Sequence, residues 1–371
     1  MKYLATTSFG MEGILKNECM LQGFTIEQVE AGMVVFSTSL KGMLLANLSL
    51  RTAERIFWVL EEKKLYSFDE LYDLVVDYPF EDIMPASAKI IVNAKSYRSK
   101  LYSLRDLQSI TKKAIVDRYR KVRGIRYLDE TGKEYSYMLR IEKDHAYLLL
   151  DTTGVPLHKR GYRQQHSQAP LRENVAAGLL LLSRYFGKGD FVDPLCGSGT
   201  LAIEAALIAS DRAPGLKRSF QFEAWNLLDR KENRQLREEL ESRVKDAAFK
   251  VMAMDKDPRA ISITKRNAKE AGVPWIESKV ADLKDFQAPS KGGTLVTNMP
   301  YGERIGSSEE IKELEGLMKE KVLTLETWRK GILSGNPNFS RETGLRASKV
   351  RKFYNGQIDT WFYQYEPTKR W

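Results

Sequence analysis

Cysteine is scarce. Only Cys19 and Cys196 occur in 371 residues, too few and too far apart for a disulfide framework, so a reducing cytoplasm is the expected home. The three histidines, His145, His158 and His166, show no ligand spacing with them, and no metal is expected. Long apolar runs are missing too: nowhere do about 18 uncharged apolar residues follow one another, which argues against a membrane span. The first residues, Met1 to Thr7, lack the apolar stretch of a signal peptide. Acids are outnumbered, 49 against 59 Lys and Arg, for a net charge of +10. That excess suits a polyanionic partner, and its distribution matters more than its total. Apolar residues are plentiful at 43%, and the length allows two or three domains.

The most informative stretch is Asp190-Phe191-Val192-Asp193-Pro194-Leu195-Cys196-Gly197-Ser198-Gly199-Thr200, followed by an Ala/Leu/Ile-rich run to Ala209. It reads as a strand ending in a carboxylate, a tight glycine turn and a helix. Glycine lets the backbone bend sharply and approach a ligand where a Cβ would intrude, and the helix start offers unpaired N–H groups. A dinucleotide-binding turn is the nearest rival, with Ala202 at its third glycine position. It wants an acidic residue roughly 20 positions on, and the next strand-end carboxylate, Asp255, is much farther away. The Asp-Pro before the glycines suits S-adenosylmethionine better.

Two more strands end in acids. Phe249 to Met254 leads into Asp255-Lys256-Asp257-Pro258, and Ile276 to Val280 leads into Ala281-Asp282-Leu283. A carboxylate at Asp255 is placed to accept two ribose hydroxyls, and Asp282 could accept from an adenine amino group. A fourth strand, Thr294 to Thr297, leads into Asn298-Met299-Pro300-Tyr301. An exocyclic base amine is a poor nucleophile, because its lone pair is delocalised into the ring. The Asn298 side-chain oxygen and the Met299 carbonyl could hold its two hydrogens. Pro300 would keep Met299 extended, and Tyr301 would offer a stacking face. Val350 to Tyr354 and Ile358 to Tyr365 flank Asn355-Gly356, a hairpin signal.

The N-terminal part reads as β-α-β-α-β over Met1 to Leu60, a ferredoxin-like half. A second α+β unit follows. From Lys95 to Arg126 it holds eleven Lys and Arg against two acids, Asp106 and Asp117, with Tyr97, Tyr102 and Tyr119 interleaved. Cations with aromatics are what a phosphate backbone and unstacked bases require. The basic link His158-Lys159-Arg160-Gly161-Tyr162-Arg163 then leads to Ala169-Pro170-Leu171-Arg172-Glu173-Asn174. Between Ala213 and Lys250 lies a charged, helix-leaning insertion with the look of a solvated helix.

The Asn93 to Tyr102 stretch with its following helix resembles a THUMP domain, an RNA-binding module. Together with the 158–163 and 169–174 segments, the glycine turn, the Asn298 segment and Lys352-Phe353-Tyr354-Asn355-Gly356, it makes nearly the whole chain similar to the THUMP-domain guanine-N2 RNA methyltransferases. That family usually has two prolines after the Asn, where Met299 stands here. The resemblance implies four segments: a ferredoxin-like domain over 1–62, a THUMP domain over 63–155, a basic linker over 156–168, and over 169–371 a Rossmann-like class I methyltransferase domain whose seven-stranded sheet ends in an antiparallel hairpin. It implies S-adenosylmethionine held by Asp193, Pro194, Cys196, Gly197, Gly199, Thr200, Asp255, Lys256, Asp257, Asp282, Leu283 and Asn298. Asn298, Met299, Pro300 and Tyr301 would carry catalysis. RNA would be gripped by Lys95, Tyr97, Arg98, Lys100, Arg105, Lys112, Lys113, Lys159, Arg160 and Arg163. The expected substrate is a guanine N2 in structured RNA, with large-subunit rRNA first and tRNA second. Adenine-N6 methylation and a non-catalytic RNA-binding assembly factor are the alternatives.

Overall fold

The computed structural model describes residues 1–125, 127–163, 171–225, 227–301, 308–355 and 358–369. Its N-terminal half comprises β1 (Lys2–Thr7), α1 (Glu12–Leu21), β2 (Thr25–Glu30), β3 (Met33–Ser37), α2 (Leu40–Ser49), β4 (Ala53–Lys64), α3 (Phe68–Val76), β5 (Lys89–Tyr97), α4 (Leu104–Arg123), β6 (Glu134–Glu142) and β7 (His145–Asp151). These strands form one sheet in the order β2-β3-β1-β4-β7-β6-β5. The start of β4 pairs with β1, and its remainder pairs with β7. The boundary placed at residue 62 therefore falls inside β4, and the two N-terminal units share a sheet.

The three-strand reading of the first unit missed β2. Its residues alternate between exposed and half-buried along Thr-Ile-Glu-Gln-Val-Glu, and an edge strand that buries so little carries a weak apolar signal. Helices were easier to read. Ser67 and Glu70 form a reciprocal capping box at the start of α3, and α4 stops at Gly124 in the left-handed conformation. Side chains of all four helices enter one core with Tyr3, Val34, Phe36, Tyr137 and Leu148. The opposite, helix-free face carries a smaller cluster that includes Leu4, Met33, Phe57, Tyr147 and Leu149.

The C-terminal half comprises α5 (Glu173–Leu182), β8 (Asp190–Asp193), α6 (Thr200–Ala209), α7 (Arg230–Ser242), β9 (Val251–Asp255), α8 (Pro258–Ala271), β10 (Glu277–Val280), β11 (Gly293–Asn298), α9 (Ser308–Leu317), β12 (Trp328–Ser334), α10 (Phe339–Glu342), β13 (Lys349–Asn355) and β14 (Ile358–Tyr365). Its sheet runs β10-β9-β8-β11-β12-β14-β13. The first five are parallel, and β14 is antiparallel to both neighbours. This is the expected Rossmann-like arrangement with a terminal hairpin. Phe191 and Val192 point into different cores on the two faces of β8, as a central parallel strand covered on both sides must.

The halves are locked together. Met11 is buried in the C-terminal core, and a Cβ on Gly178 of α5 would come within 2.3 Å of its sulfur. Arg51 donates to the Arg212 carbonyl at 2.9 Å. The charged insertion is solvated on one side only. Trp225 stacks on Tyr135 at 4.7 Å and donates its indole N–H to the Glu134 carbonyl at 2.8 Å. Leu236 and Leu240 of α7 join the N-terminal core. Among the described residues no helix is long and apolar enough to cross a membrane.

Candidate active site

Asp193 and Asn298 end adjacent strands. β8 pairs with β11 in parallel register, Val192 opposite Leu295. The Thr297 hydroxyl then donates to Asp193 Oδ1 at 2.7 Å, so a hydrogen bond joins the two segments the sequence singled out. Asp193 is 1% exposed. Burial raises its carboxyl to about 7, while the hydrogen bonds from Thr297 and from the Leu195 N–H pull it down and the charge of Asp255 pushes it up.

The turn between β8 and α6 is braced by two elements, the end of β9 and α8. The Cys196 N–H donates to the Met254 carbonyl at 2.8 Å, and the Gly197 N–H donates to Asp255 Oδ2 at 2.9 Å. From α8, the Thr264 hydroxyl donates to the Gly197 carbonyl at 2.9 Å and Asn267 Nδ2 to the Ser198 carbonyl at 3.1 Å. Sequence reasoning missed both α8 residues, since nothing in a helix sequence says which face meets a loop nearly 70 positions away. Gly197 and Gly199 have φ of +53° and +83°. A Cβ on Gly199 would strike Thr264 at 2.6 Å, whereas one on Gly197 would meet nothing within 4 Å. The turn is thus tight on its α8 side and open at Gly197, as a cradle for a ligand would be.

The other strand-end acids gather at the same edge. The Ala281 N–H donates to the Asp255 carbonyl at 3.0 Å, which holds the ends of β10 and β9 together. Asp255 also accepts from the Asp257 N–H at 2.9 Å, and each carboxylate oxygen keeps a further lone pair. Asp257 caps α8 through the Arg259 N–H at 2.8 Å, and Lys256 is exposed. Asp282 accepts from the Lys284 N–H at 3.0 Å as cap of a short turn. Two of the expected ligand residues bury their side chains. The Leu283 side chain is 3% exposed in the core that holds Val192 and Met254. The Cys196 thiol lies 3.7 Å from the Thr264 hydroxyl, and burial pushes it up in pKa, so it is no nucleophile. Pro194 is buried, and Thr200 opens α6.

Asn298 Oδ1 is buried and has no hydrogen-bond partner among the described residues. An orphaned buried acceptor costs about 1–3 kcal/mol, and this one keeps its capacity to accept a donor. The Met299 N–H donates to the Leu333 carbonyl at 2.9 Å, extending the β11–β12 ladder by a bond that a proline there would lack. Pro300 is half-buried. Tyr301 is 7% exposed, so little of the expected stacking face is open. Gly302 to Arg304, Ala169 and Pro170 lie outside the described residues.

The candidate RNA-binding residues divide. Lys95 and Tyr97 are exposed on β5, the edge strand. Arg98 lies over the Tyr97 ring at 5.0 Å and Lys100 over Tyr66 at 4.8 Å. Arg105, Lys112 and Lys113 ride on α4, which covers the other face of the sheet. Lys112 is tied to Glu130 and to the Ile90 carbonyl at 3.1 Å, and Lys113 sits over Tyr72. Tyr119 is core, 2% exposed. Lys159 is exposed.

Arg160 and Arg163 are corrections. Arg160 is 4% exposed. It meets Glu204 at 3.4 Å, the Leu157 carbonyl at 2.8 Å and the Arg51 carbonyl. It is a buried bridge between the halves and has no surface to offer RNA. Arg163 donates to the Thr200 hydroxyl at 2.7 Å and to the Leu171 carbonyl at 3.0 Å, beside Glu173 at 3.5 Å. Its guanidinium steadies the first residue of α6.

Comparison with known proteins adds to this geometry. A family model described as the RMKL-like methyltransferase domain matches residues 160–364, one described as the RlmL ferredoxin-like domain matches 2–57, and the THUMP domain model matches 66–151. The Bacillus subtilis (strain 168) protein YpsC, named by inference an RNA methyltransferase, is 38% identical over 366 residues, 98% of this chain and 95% of that one. The ribosomal RNA large subunit methyltransferase K/L of Syntrophotalea carbinolica is 35% identical over 380 residues, 97% of this chain and 52% of that one. The chain therefore spans about half the length of the K/L relative. Among solved structures, SMU.472, named by inference a methyltransferase and complexed with SAH, is 36% identical with a TM-score of 0.91, covering 99% of this chain and 98% of that one.

Proposed function

Because the chain belongs to the RMKL-like methyltransferase family, we propose that it methylates the exocyclic N2 of a guanine in structured RNA, with large-subunit rRNA as the first candidate and tRNA as the second. S-adenosylmethionine is the cofactor, and bound in the turn it supplies an electrophilic methyl group on sulfur. The observation that carries the reading is the unpartnered Asn298 Oδ1, one strand away from the open glycine turn.

In this reading Asp193 takes the cofactor's ammonium group. Asp255 accepts from ribose hydroxyls with its remaining lone pairs, and Asp282 accepts from the adenine amine. Asn298 Oδ1 and the Met299 carbonyl hold the two hydrogens of the target amine and aim its nitrogen at the methyl group. A base must leave its stack to reach them. Positioning of this kind can supply about 7–11 kcal/mol of the barrier. The amine proton leaves after transfer, so no general base is required beforehand.

Nucleoside analysis of RNA incubated with the protein and cofactor tests the product. N2-methylguanosine is expected. N6-methyladenosine would replace guanine by adenine in the same pocket, since an amide oxygen accepts from either amine. No thermal stabilisation by saturating S-adenosylmethionine would favour a non-catalytic RNA-binding factor instead.

A further inference from the structure

A second concave site lies away from the glycine turn. A cavity of about 560 Å³ opens on the helix-free face of the N-terminal sheet, lined among others by Phe9, Phe57, Lys95, Met138, Arg140 and Arg172. Its size falls in the roughly 300–1,000 Å³ range of ligand clefts. Lys95 and Arg140 stand opposite each other on β5 and β6. Arg172 comes from the catalytic half, just before α5. Four cations line the cavity, counting Arg55, against one acid, Glu54. Glu54 is already engaged by Asn174 Nδ2 at 3.0 Å and His158 at 2.9 Å. Arg55 is likewise spent on Asp151 and the Gly154 carbonyl.

The other three cations are less fully engaged. Arg172 is half exposed and pairs loosely with Glu54 at 3.7 Å. Arg140 bonds Glu142 at 2.8 Å through Nη2, yet its Nε is buried without a partner among the described residues. Lys95 is exposed. At the lip, Phe9 is 62% exposed. Its neighbour Gly10 packs against Phe353 of β13, since a Cβ there would touch that ring at 3.4 Å. The catalytic half thus lends Arg172 to the cavity and packs against Gly10, next to Phe9. Through Arg172 it also abuts Glu173, which pairs with Arg163, the donor to Thr200 of the glycine-turn helix.

We propose that this cavity binds an unpaired segment of the RNA that carries the target guanine, an inference that rests on the RNA reading above. One base stacks on Phe9 while backbone phosphates meet Lys95, Arg140 and Arg172. Exposed aromatic rings beside cations on an open sheet face are how unstacked nucleotides are held. An acidic protein segment would satisfy the cations but would leave Phe9 without a stacking partner. The site fixes the RNA across both halves of the molecule, so it selects substrates with a single-stranded stretch at a set distance from the flipped base.

Anisotropy titrations of the full chain with a fluorescein-labelled ten-nucleotide oligoadenylate, and with a ten-base-pair RNA duplex, test this. The K95Q/R172Q variant should weaken single-strand binding about tenfold. It should also lower the slope of log Kd against log salt by about 1.4, at roughly 0.7 per phosphate contact. F9A should weaken binding fivefold or more and leave the slope unchanged. A charge-matched K16Q/K41Q control on the helix-covered face should match wild type, and cofactor binding by calorimetry should be unaltered in every variant. Equal Kd and slope for K95Q/R172Q and the control, or a duplex bound as well as the single strand, would overturn the site while leaving the RNA reading standing. A wild-type chain that binds neither probe would overturn both.

Discussion

Gly197→Ala separates the two jobs of a glycine turn. At φ +53° the alanine adopts a left-handed conformation, which costs about 1–2 kcal/mol. Its Cβ enters space where no atom lies within 4 Å, so no packing penalty is added. Gly199→Ala differs. Its φ of +83° brings a similar strain, and its Cβ lands 2.6 Å from the Thr264 methyl and 2.8 Å from its hydroxyl, a contact that must be relieved by movement. Overpacking typically adds about 1–3 kcal/mol, for a total near 2–5 kcal/mol. Urea unfolding should therefore show a small loss for G197A and a large one for G199A. Calorimetric titration with S-adenosylmethionine should show the reverse emphasis. G197A should lose on the order of 100-fold in affinity, about 2.7 kcal/mol, because the methyl group occupies ligand space. Wild-type cofactor affinity in folded G197A would refute the assignment of that open space to the cofactor.

Cofactor binding should depend on pH through Asp193. Its folded carboxyl titrates near 7, well above an unfolded aspartate, so the fold keeps its proton longer and stability falls as pH rises from about 4 to about 7. An ammonium group needs the ionised form, so affinity should rise about tenfold per unit up to pH 7 and then level off; a flat calorimetric profile from pH 5.5 to 8 would contradict this. Arg160→Ala should strand the fully buried Glu204 and cost about 3–5 kcal/mol in urea unfolding. If Arg160 were instead an RNA contact, the variant would keep wild-type stability and lose salt-dependent RNA binding.

Much of the catalytic half was legible because its signals are local. A glycine turn, three strand-end acids, Asn298 with its following proline and an Asn-Gly hairpin each announce themselves within a few residues. Parallel pairing of β8 with β11 could be expected from the fold, but the bond from Thr297 to Asp193 could not, since it depends on register. The failures are tertiary. Arg160 and Arg163 look like surface cations in a basic run, and only the fold shows that Glu204 and Glu173 wait for them. Tyr119 shares a cationic segment with Tyr97 yet points to the opposite face of its element, into the core. Trp225 sits in a segment that reads as solvated, because its partner Tyr135 is 90 positions upstream. The edge strand β2 was lost because solvent takes half its side chains.

The central claim is that Asn298 presents its amide oxygen to a target amine beside the cofactor turn. The direct measurement is single-turnover methyl transfer from labelled S-adenosylmethionine to RNA by Asn298→Ala at saturating cofactor. The account predicts a loss of at least about 100-fold in rate, in line with removal of one transition-state hydrogen-bonding group, with RNA affinity unchanged. A variant that transfers methyl groups at the wild-type rate would contradict it.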